Sequence, residues 1–176
     1  MKKLIVSLLI AILILSLYAA VGKAEEPKHT VTVTVDDITA VSAQIIEYED
    51  EMDMLARLVW AEARGIDSEM EQAAVAWCVL NRVDAGYGTI SEVVTAKHQF
   101  AYRKNAPVTE ELRELAKDVL TRWLLEKRGV IDVGRVLPTN YLYFAGRRGH
   151  NRFRISYRGR TYWDWSLMNP YEVANE

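Results

Sequence analysis

The chain has 176 residues, half of them apolar, and a formal net charge of −2. This length suits one domain, and the composition supplies enough apolar side chains for a core. A single cysteine, Cys78, excludes an internal disulfide. The sequence has neither a glycine-rich phosphate loop nor a nucleic-acid-binding module, so we expect neither kind of ligand.

The N-terminus has the pattern of an export signal. Two lysines precede an apolar run over residues 4–21, and the small residues Gly22 and Ala24 precede a cleavage position. We therefore predict a signal peptide over residues 1–24 and an exported protein, either extracellular or associated with the cell wall. The apolar run is long for a signal peptide, so an uncleaved membrane anchor over residues 4–21 is the alternative.

Residues 25–49 are predicted to be a linker or an edge segment. Acidic side chains dominate this stretch. Within it, Val31, Val33 and Val35 alternate with threonines, which is the period of a β-strand. A short strand at a sheet edge and an extended tether both fit this pattern.

Four helices are predicted after this segment, over residues 50–64, 68–83, 91–96 and 109–128. The second begins at Ser68 with Glu71 three residues later, which is the spacing of a capping box. It is apolar on all sides from residue 73 to residue 80, as is typical of a helix at the centre of a domain. Cys78 lies in this run and is expected to be a core residue rather than a nucleophile.

The last part of the chain has the period of β-strands. Residues 140–145 form a predicted aromatic strand, and residues 153–157 and 160–165 flank an Arg-Gly turn and predict a hairpin. Helices followed by a small antiparallel sheet give the α+β class. Six arginines and no acid lie in residues 147–160. They either face an anionic polymer or are the solvated faces of strands.

Glu62 is the residue most suited to chemistry. At about 100° per residue, it falls in the apolar stripe that includes Leu58 and Val59. A carboxyl in apolar surroundings is expected to stay protonated to a higher pH than usual, and such an acid can protonate a leaving oxygen. The alternative is a buried ion pair with an arginine such as Arg64 or Arg82.

Ordered motifs surround Glu62: LARLVWAEARG at 55–65, QAAVAWCVLNRV at 72–83, TISEVV at 89–94 and QF at 99–100, with weaker ones at 141–144 and 149–153. The combination resembles the bacterial cell wall hydrolase family of spore cortex-lytic enzymes. This resemblance implies a lysozyme-like catalytic domain over residues 50–176, with Glu62 as the catalytic glutamate. It also implies lytic transglycosylase cleavage of peptidoglycan between N-acetylmuramic acid and N-acetylglucosamine.

The implied mechanism uses one carboxyl group. Glu62 protonates the glycosidic oxygen and then acts as a base on the muramoyl 6-hydroxyl, which closes a 1,6-anhydro ring. Simple hydrolysis would need a second acid across the cleft, for which Asp84, Glu92 and Asp164 are candidates that the sequence does not place. Members of the family commonly carry another glutamate after the Ala-Arg-Gly motif, where this chain has Ile66 and then Asp67, an imperfect substitute.

Further residues are predicted to bind the substrate. The amide of Gln99 suits an acetamido group, and Phe100 suits a sugar face. Tyr141 and Tyr143, with Trp163, are candidates to line the cleft, and core packing is the alternative for each aromatic residue. His150 is predicted either to contact the substrate or to be an ordinary surface histidine.

Two other classes of protein compete with a glycan-cleaving enzyme. A zinc amidase would need clustered ligands, and His29, His98 and His150 lack such spacing, so no metal or other cofactor is expected. A non-catalytic peptidoglycan-binding module would leave Glu62 dispensable. The partner expected in each case is peptidoglycan, bound by a monomer that meets a membrane only through an uncleaved anchor.

Overall fold

The computed structural model describes residues 33–147, 149–165, 167 and 169–171. They have the α+β architecture that the sequence predicts, and the described helices and strands are α1 (Val35–Gln44), α2 (Glu49–Ala63), α3 (Glu69–Asp84), α4 (Ile90–Thr95), α5 (Glu110–Lys127), β1 (Tyr143–Arg147) and β2 (His150–Arg154). No helix among these residues is long and apolar enough to span a membrane. The predicted signal peptide lies outside the described residues.

Hydroxyl caps set the starts of three of the four predicted helices. The side chains of Ser68, Thr89 and Thr109 each accept a hydrogen bond from a backbone amide in the first turn of α3, α4 and α5. Such caps satisfy amides that have no partner within the helix. The four predicted helices are confirmed, and each observed boundary lies within one residue of the predicted one.

Helix α3 forms the centre of the core. Every residue from 73 to 80 has no solvent exposure, and the apolar faces of α2, α4 and α5 pack around this helix. The placement of Cys78 in the core is confirmed. Burial raises the pKa of its thiol to about 12, so the thiolate that a nucleophile requires is not formed near neutral pH.

The segment before α2 differs from its prediction. From Val35 onward it is neither a linker nor an edge strand, because it forms α1 and then a 3-10 turn, Ile45–Tyr48. Thr34 and Asp37 form a capping box at its start. Val41 and Ile45, four residues apart, reach the core and fix the segment to the helical body. Residues 25–32 lie outside the described part.

The hairpin lies earlier in the chain than predicted, because its turn is at Gly149 and not at the Arg-Gly pair at 158–159. Strands β1 and β2 pair antiparallel, with Tyr143 opposite Arg154 and Arg147 opposite His150. Gly149, with φ of +81°, provides the left-handed backbone of the connecting turn. The predicted pairing of residues 153–157 with 160–165 is therefore wrong, apart from a single bridge between Arg154 and Tyr162.

Helix α3 holds both ends of this sheet. Asn81 Nδ2 donates to the carbonyl oxygens of Pro138 and Tyr141, at 2.8 and 2.9 Å. Arg82 Nε donates to the carbonyl oxygen of Leu142, at 2.6 Å. At the other end of α3, Glu71 Oε1 accepts from the backbone amide of Asn151. The sheet is thereby fixed beside the C-terminal end of α2, where Glu62 lies.

Candidate functional site

Glu62 lies in the last turn of α2, half-buried, at the edge of an open cleft. The cleft has a volume of about 390 Å³. One wall is the end of α2 and the loop that follows, and the other is the hairpin; we call it the Glu62 cleft, lined by Ala61, Glu62, Arg64, Gly65, Ile66, Gly146, Arg147, Gly149, His150 and Asn151. Glu62 Oε1 accepts a hydrogen bond from the backbone amide of Ala101, at 2.5 Å. This bond fixes the direction of the carboxylate.

The surroundings of Glu62 differ from those predicted. Its side chain is half-buried and borders the cleft instead of being enclosed in the core, because α2 ends at Ala63 and an open space separates this side chain from the hairpin. Arginine and histidine side chains share the cleft lining with it. The helical wheel predicts burial for all three positions of the stripe. Leu58 and Val59 are buried as predicted, and Glu62 is not.

The alternative of a buried ion pair is also not observed. Among the described residues Glu62 takes part in no ion pair. The guanidinium of Arg64 lies over the ring of Trp60, at 4.5 Å from its centroid. Arg82 is directed to the Leu142 carbonyl and to Gln99.

The acids considered for a hydrolytic partner lie elsewhere. Asp84 accepts from the indole of Trp123 and pairs with Lys127. Glu92 caps α4 through Thr89, and these hydrogen bonds lower the pKa of its carboxyl. Asp164 is exposed and is not among the lining residues of the cleft. The same holds for Asp67, the imperfect substitute for a second glutamate. Within the described lining of the cleft, Glu62 is the single carboxylate, and no described set of three His, Cys, Asp or Glu side chains is arranged to hold a metal ion.

A second acid, Glu71 on α3, bonds to the hairpin that forms one wall of the cleft. It is 5% exposed and accepts from the Asn151 amide, while its Oε2 lies 3.2 Å from His150 Nδ1. Asn151 in turn reaches the backbone carbonyl of Glu62 through Nδ2, at 3.4 Å. Glu71 therefore connects α3, the hairpin and the end of α2. The sequence reasoning assigned Glu71 to a capping box and missed this role.

A second cavity opens near the start of β1. It has a volume of about 490 Å³, and we call it the tyrosine groove, lined by Arg82, Tyr87, Val93, Ala96, Lys97, Gln99, Tyr143 and Tyr157. Gln99 and Tyr143 were predicted from the sequence. Tyr87 and Tyr157 were not, because nothing in their local patterns distinguishes them from other surface tyrosines.

The predicted binding residues thus fall into three places. His150 lines the Glu62 cleft, and Gln99 and Tyr143 line the tyrosine groove. Phe100 is half-buried, stacked under the Arg82 guanidinium at 4.5 Å. Tyr141 is a core residue that packs on Trp163, with ring centroids 5.2 Å apart, so the structure places it in neither cavity.

The cleft and the groove share two segments of chain. The loop that carries Gln99 in the groove provides the amide of Ala101 that bonds Glu62. Strand β1 begins with Tyr143 in the groove and ends with Arg147 in the cleft. The arrangement can therefore accommodate an extended ligand that passes over β1.

Comparison with known proteins adds no relative. No protein family, no curated protein and no solved structure matches this chain. The resemblance to spore cortex-lytic enzymes therefore stays a prediction, and the function has to be argued from the geometry of the site.

Proposed function

We propose that the protein cleaves the glycan strands of peptidoglycan, with Glu62 as its acid/base, in a lysozyme-like α+β domain. The observation that carries this proposal is the position of Glu62. Its carboxylate is held by one backbone amide at the end of a core helix and borders an open cleft. An oriented acid at the wall of a cleft is the arrangement that proton transfer to a bound linkage requires.

Lytic transglycosylation fits the cleft better than hydrolysis. Hydrolysis of a glycoside uses two carboxyl groups on opposite sides of the linkage. Glu62 is the single carboxylate among the described lining residues of its cleft. In the proposed reaction Glu62 protonates the glycosidic oxygen, and the bond from that oxygen to the muramoyl anomeric carbon breaks. Glu62 then takes the proton of the muramoyl 6-hydroxyl, whose oxygen bonds to the same carbon.

The cationic lining suits the proposed substrate. Arg64 and Arg147 carry positive charge and share the cleft with Glu62. N-acetylmuramic acid carries a carboxylate, or a peptide with carboxylates, next to the cleaved bond. Opposite charges in a cleft raise the local concentration of such a polymer. The proposed setting is accordingly the cell wall, reached by export.

The test compares the wild-type protein with Glu62→Gln on purified peptidoglycan. Acid/base catalysis typically contributes about 10² to 10⁴ in rate, so we expect the variant to release muropeptides at least about a hundredfold more slowly while still sedimenting with peptidoglycan. Glu51→Gln, on the same helix, is the matched control and should cleave as the wild type does. Mass spectrometry should find 1,6-anhydro ends on the products.

Three results would count against this proposal in different ways. Unchanged cleavage by Glu62→Gln removes the assigned acid. Reducing ends in place of anhydro ends keep the enzyme and replace transglycosylation with hydrolysis. Sedimentation of both proteins with peptidoglycan, without any released muropeptide, identifies a binding module.

A further inference from the structure

The tyrosine groove contains two exposed aromatic rings that are not part of the hydrophobic core. Tyr87 is 53% exposed and Tyr157 is 69% exposed. Tyr157 meets Tyr143 edge to face, with ring centroids 6.0 Å apart. The hydroxyl oxygens of Tyr87 and Tyr143 are 3.1 Å apart. Exposed aromatic clusters mark binding surfaces, and rings with a polar edge suit ligands that are apolar on one face and polar at the rim.

A buried arginine organises the polar wall of this groove. Arg82 is 4% exposed and held by the Leu142 carbonyl and by stacking on Phe100. Its Nη1 donates to Gln99 Oε1, at 3.1 Å. Because the amide oxygen of Gln99 is engaged, the amide NH₂ with its two donors is the group that Gln99 presents to a ligand. Such donors match the acetamido carbonyl and the hydroxyl groups of an amino sugar.

The paired phenols add neutral donors and acceptors. The pKa of Tyr143 is raised, first by its hydrogen bond with Tyr87 and then by burial. The Tyr143 phenol therefore keeps its proton at neutral pH. Because a phenol hydroxyl is both a donor and an acceptor, the bond between the two hydroxyls leaves donor and acceptor capacity for a ligand. Hydroxyl groups of this kind bond to sugar hydroxyls at the rim of an aromatic platform.

A short segment of chain, residues 99–101, connects the groove to Glu62. Gln99 precedes by two residues the Ala101 amide that bonds Glu62. An extended chain spans about 3.3–3.6 Å per residue, so the Cα atoms of Gln99 and Ala101 are at most about 7 Å apart. A linear polymer with one linkage at Glu62 would bring a neighbouring unit to the groove.

We propose that the tyrosine groove binds a second N-acetylated sugar unit of the same glycan strand whose linkage lies at Glu62. This proposal rests on the proposed function for the identity of the polymer. It adds a subsite in which Tyr87 and Tyr157 contact the sugar and Gln99 bonds its acetamido group. Arg82 acts there as a positioning residue, because it holds Gln99 rather than the ligand.

The test measures binding in the Glu62→Gln background, so that cleavage does not interfere. The probe is a peptide-free peptidoglycan tetrasaccharide, titrated calorimetrically into Glu62→Gln alone and combined with Tyr87→Ala or Tyr157→Ala. Aromatic contacts of this kind correspond to roughly 2- to 10-fold in affinity, and we expect each tyrosine variant to bind that much more weakly. Tyr162→Ala, a tyrosine outside both cavities, should bind as the parent does.

The outcomes separate this proposal from the proposed function. Equal tetrasaccharide affinity in the parent and in both tyrosine variants overturns the groove as a sugar subsite. If Tyr157→Ala weakens the binding of a free stem peptide but not that of the tetrasaccharide, the groove is a peptide site. This result also overturns the proposal. The proposed function fails on a different result, undiminished cleavage by Glu62→Gln with the native groove.

Discussion

The buried carboxylate of Glu71 holds one wall of the Glu62 cleft in place. It satisfies the backbone amide of Asn151, and Asn151 is itself 4% exposed. A buried amide without a partner costs about 1–3 kcal/mol, so this bond contributes to the position of the hairpin as well as to stability. His150, beside it on the same carboxylate, lines the cleft.

We expect Glu71→Ala to lower the free energy of unfolding by about 1–3 kcal/mol, because it leaves the Asn151 amide unpaired. Urea denaturation measures this loss, and muropeptide release should fall together with it as the cleft wall shifts. Glu71→Gln retains an acceptor oxygen and should recover most of the stability. Glu69→Ala removes an exposed acid from the same helical turn and should have little effect. Equal stability of Glu71→Ala and Glu69→Ala would contradict this role.

At the scale of single residues, the sequence singled out Glu62 for a functional role, which stays a prediction, and gave it the wrong surroundings. A helical wheel treats every position in the stripe as facing the core, and it contains no information on where the neighbouring element stops. The gap beside Glu62 depends on a hairpin about 80 residues later in the chain. Glu71 was assigned to the wrong partner for a related reason, since the spacing from Ser68 fits a local cap equally well.

Helix α1 is attached to α5 through Asp37. The carboxylate of Asp37 accepts from Thr34 within its own capping box and from Arg128 Nε, at 3.1 Å, at the C-terminal end of α5. The hydrogen bond from the Thr34 side chain is the first cause of the lowered pKa of Asp37, followed by the Thr34 amide and then Arg128. Arg128 also lies where a helix C-terminus favours positive charge.

We expect the stabilising effect of Asp37 to depend on pH. Because its folded pKa lies below the ordinary value of 3.8, the contribution is present above that value and is lost as the pH falls through the lowered pKa. Asp37→Asn should therefore melt at a lower temperature than the wild type at pH 7, and the difference should disappear in strong acid. Asp36→Asn is the neighbouring control. A constant difference in melting temperature across the acidic range would argue against a stabilising role of the ionised Asp37 carboxylate.

Elements with local signals were predictable, and elements that depend on distant contacts were not. Helices α2 to α5 carry apolar stripes within their own sequences, and α3, α4 and α5 also carry hydroxyl caps. Helix α1 is rich in valine, threonine and isoleucine, residues that favour strands, and its attachment to the core overrides that preference. The hairpin was misplaced because two Arg-Gly pairs, at 148–149 and 158–159, are equally good turn signals.

Across the whole molecule, charge is unevenly distributed along the chain. Arginines are concentrated in residues 147–160, and Arg152, Arg158 and Arg160 are exposed. Acids dominate the first described residues, among them Asp36, Glu47 and Glu49. An arginine-rich region of this kind attracts anionic polymers over a distance that salt reduces, with a Debye length of about 8 Å at physiological ionic strength.

We expect the double variant Arg158→Ser and Arg160→Ser to bind purified anionic cell walls more weakly than the wild type at low salt. The difference should shrink as sodium chloride is raised, because screening removes the attraction that the variant lacks. Sedimentation with cell walls across a salt series measures this. Arg103→Ser with Lys104→Ser removes the same charge from another loop and serves as the control. A matching loss of binding in both double variants would show that net charge, and not this region, governs binding.

The attachment of the sheet to α3 at both ends has a consequence for how the protein opens. A two-stranded hairpin alone is at best marginally stable in water. Here Asn81, Arg82 and Glu71 fix it along the length of the most buried helix. We therefore expect the hairpin and this helix to open as one cooperative unit, so that the hydrogen-bonded amides of β2 exchange with solvent only in the rare openings that also expose the core, which native-state hydrogen exchange measures. The hairpin wall of the cleft, although it lies at the surface, is thus expected to be as resistant to opening as the helical core.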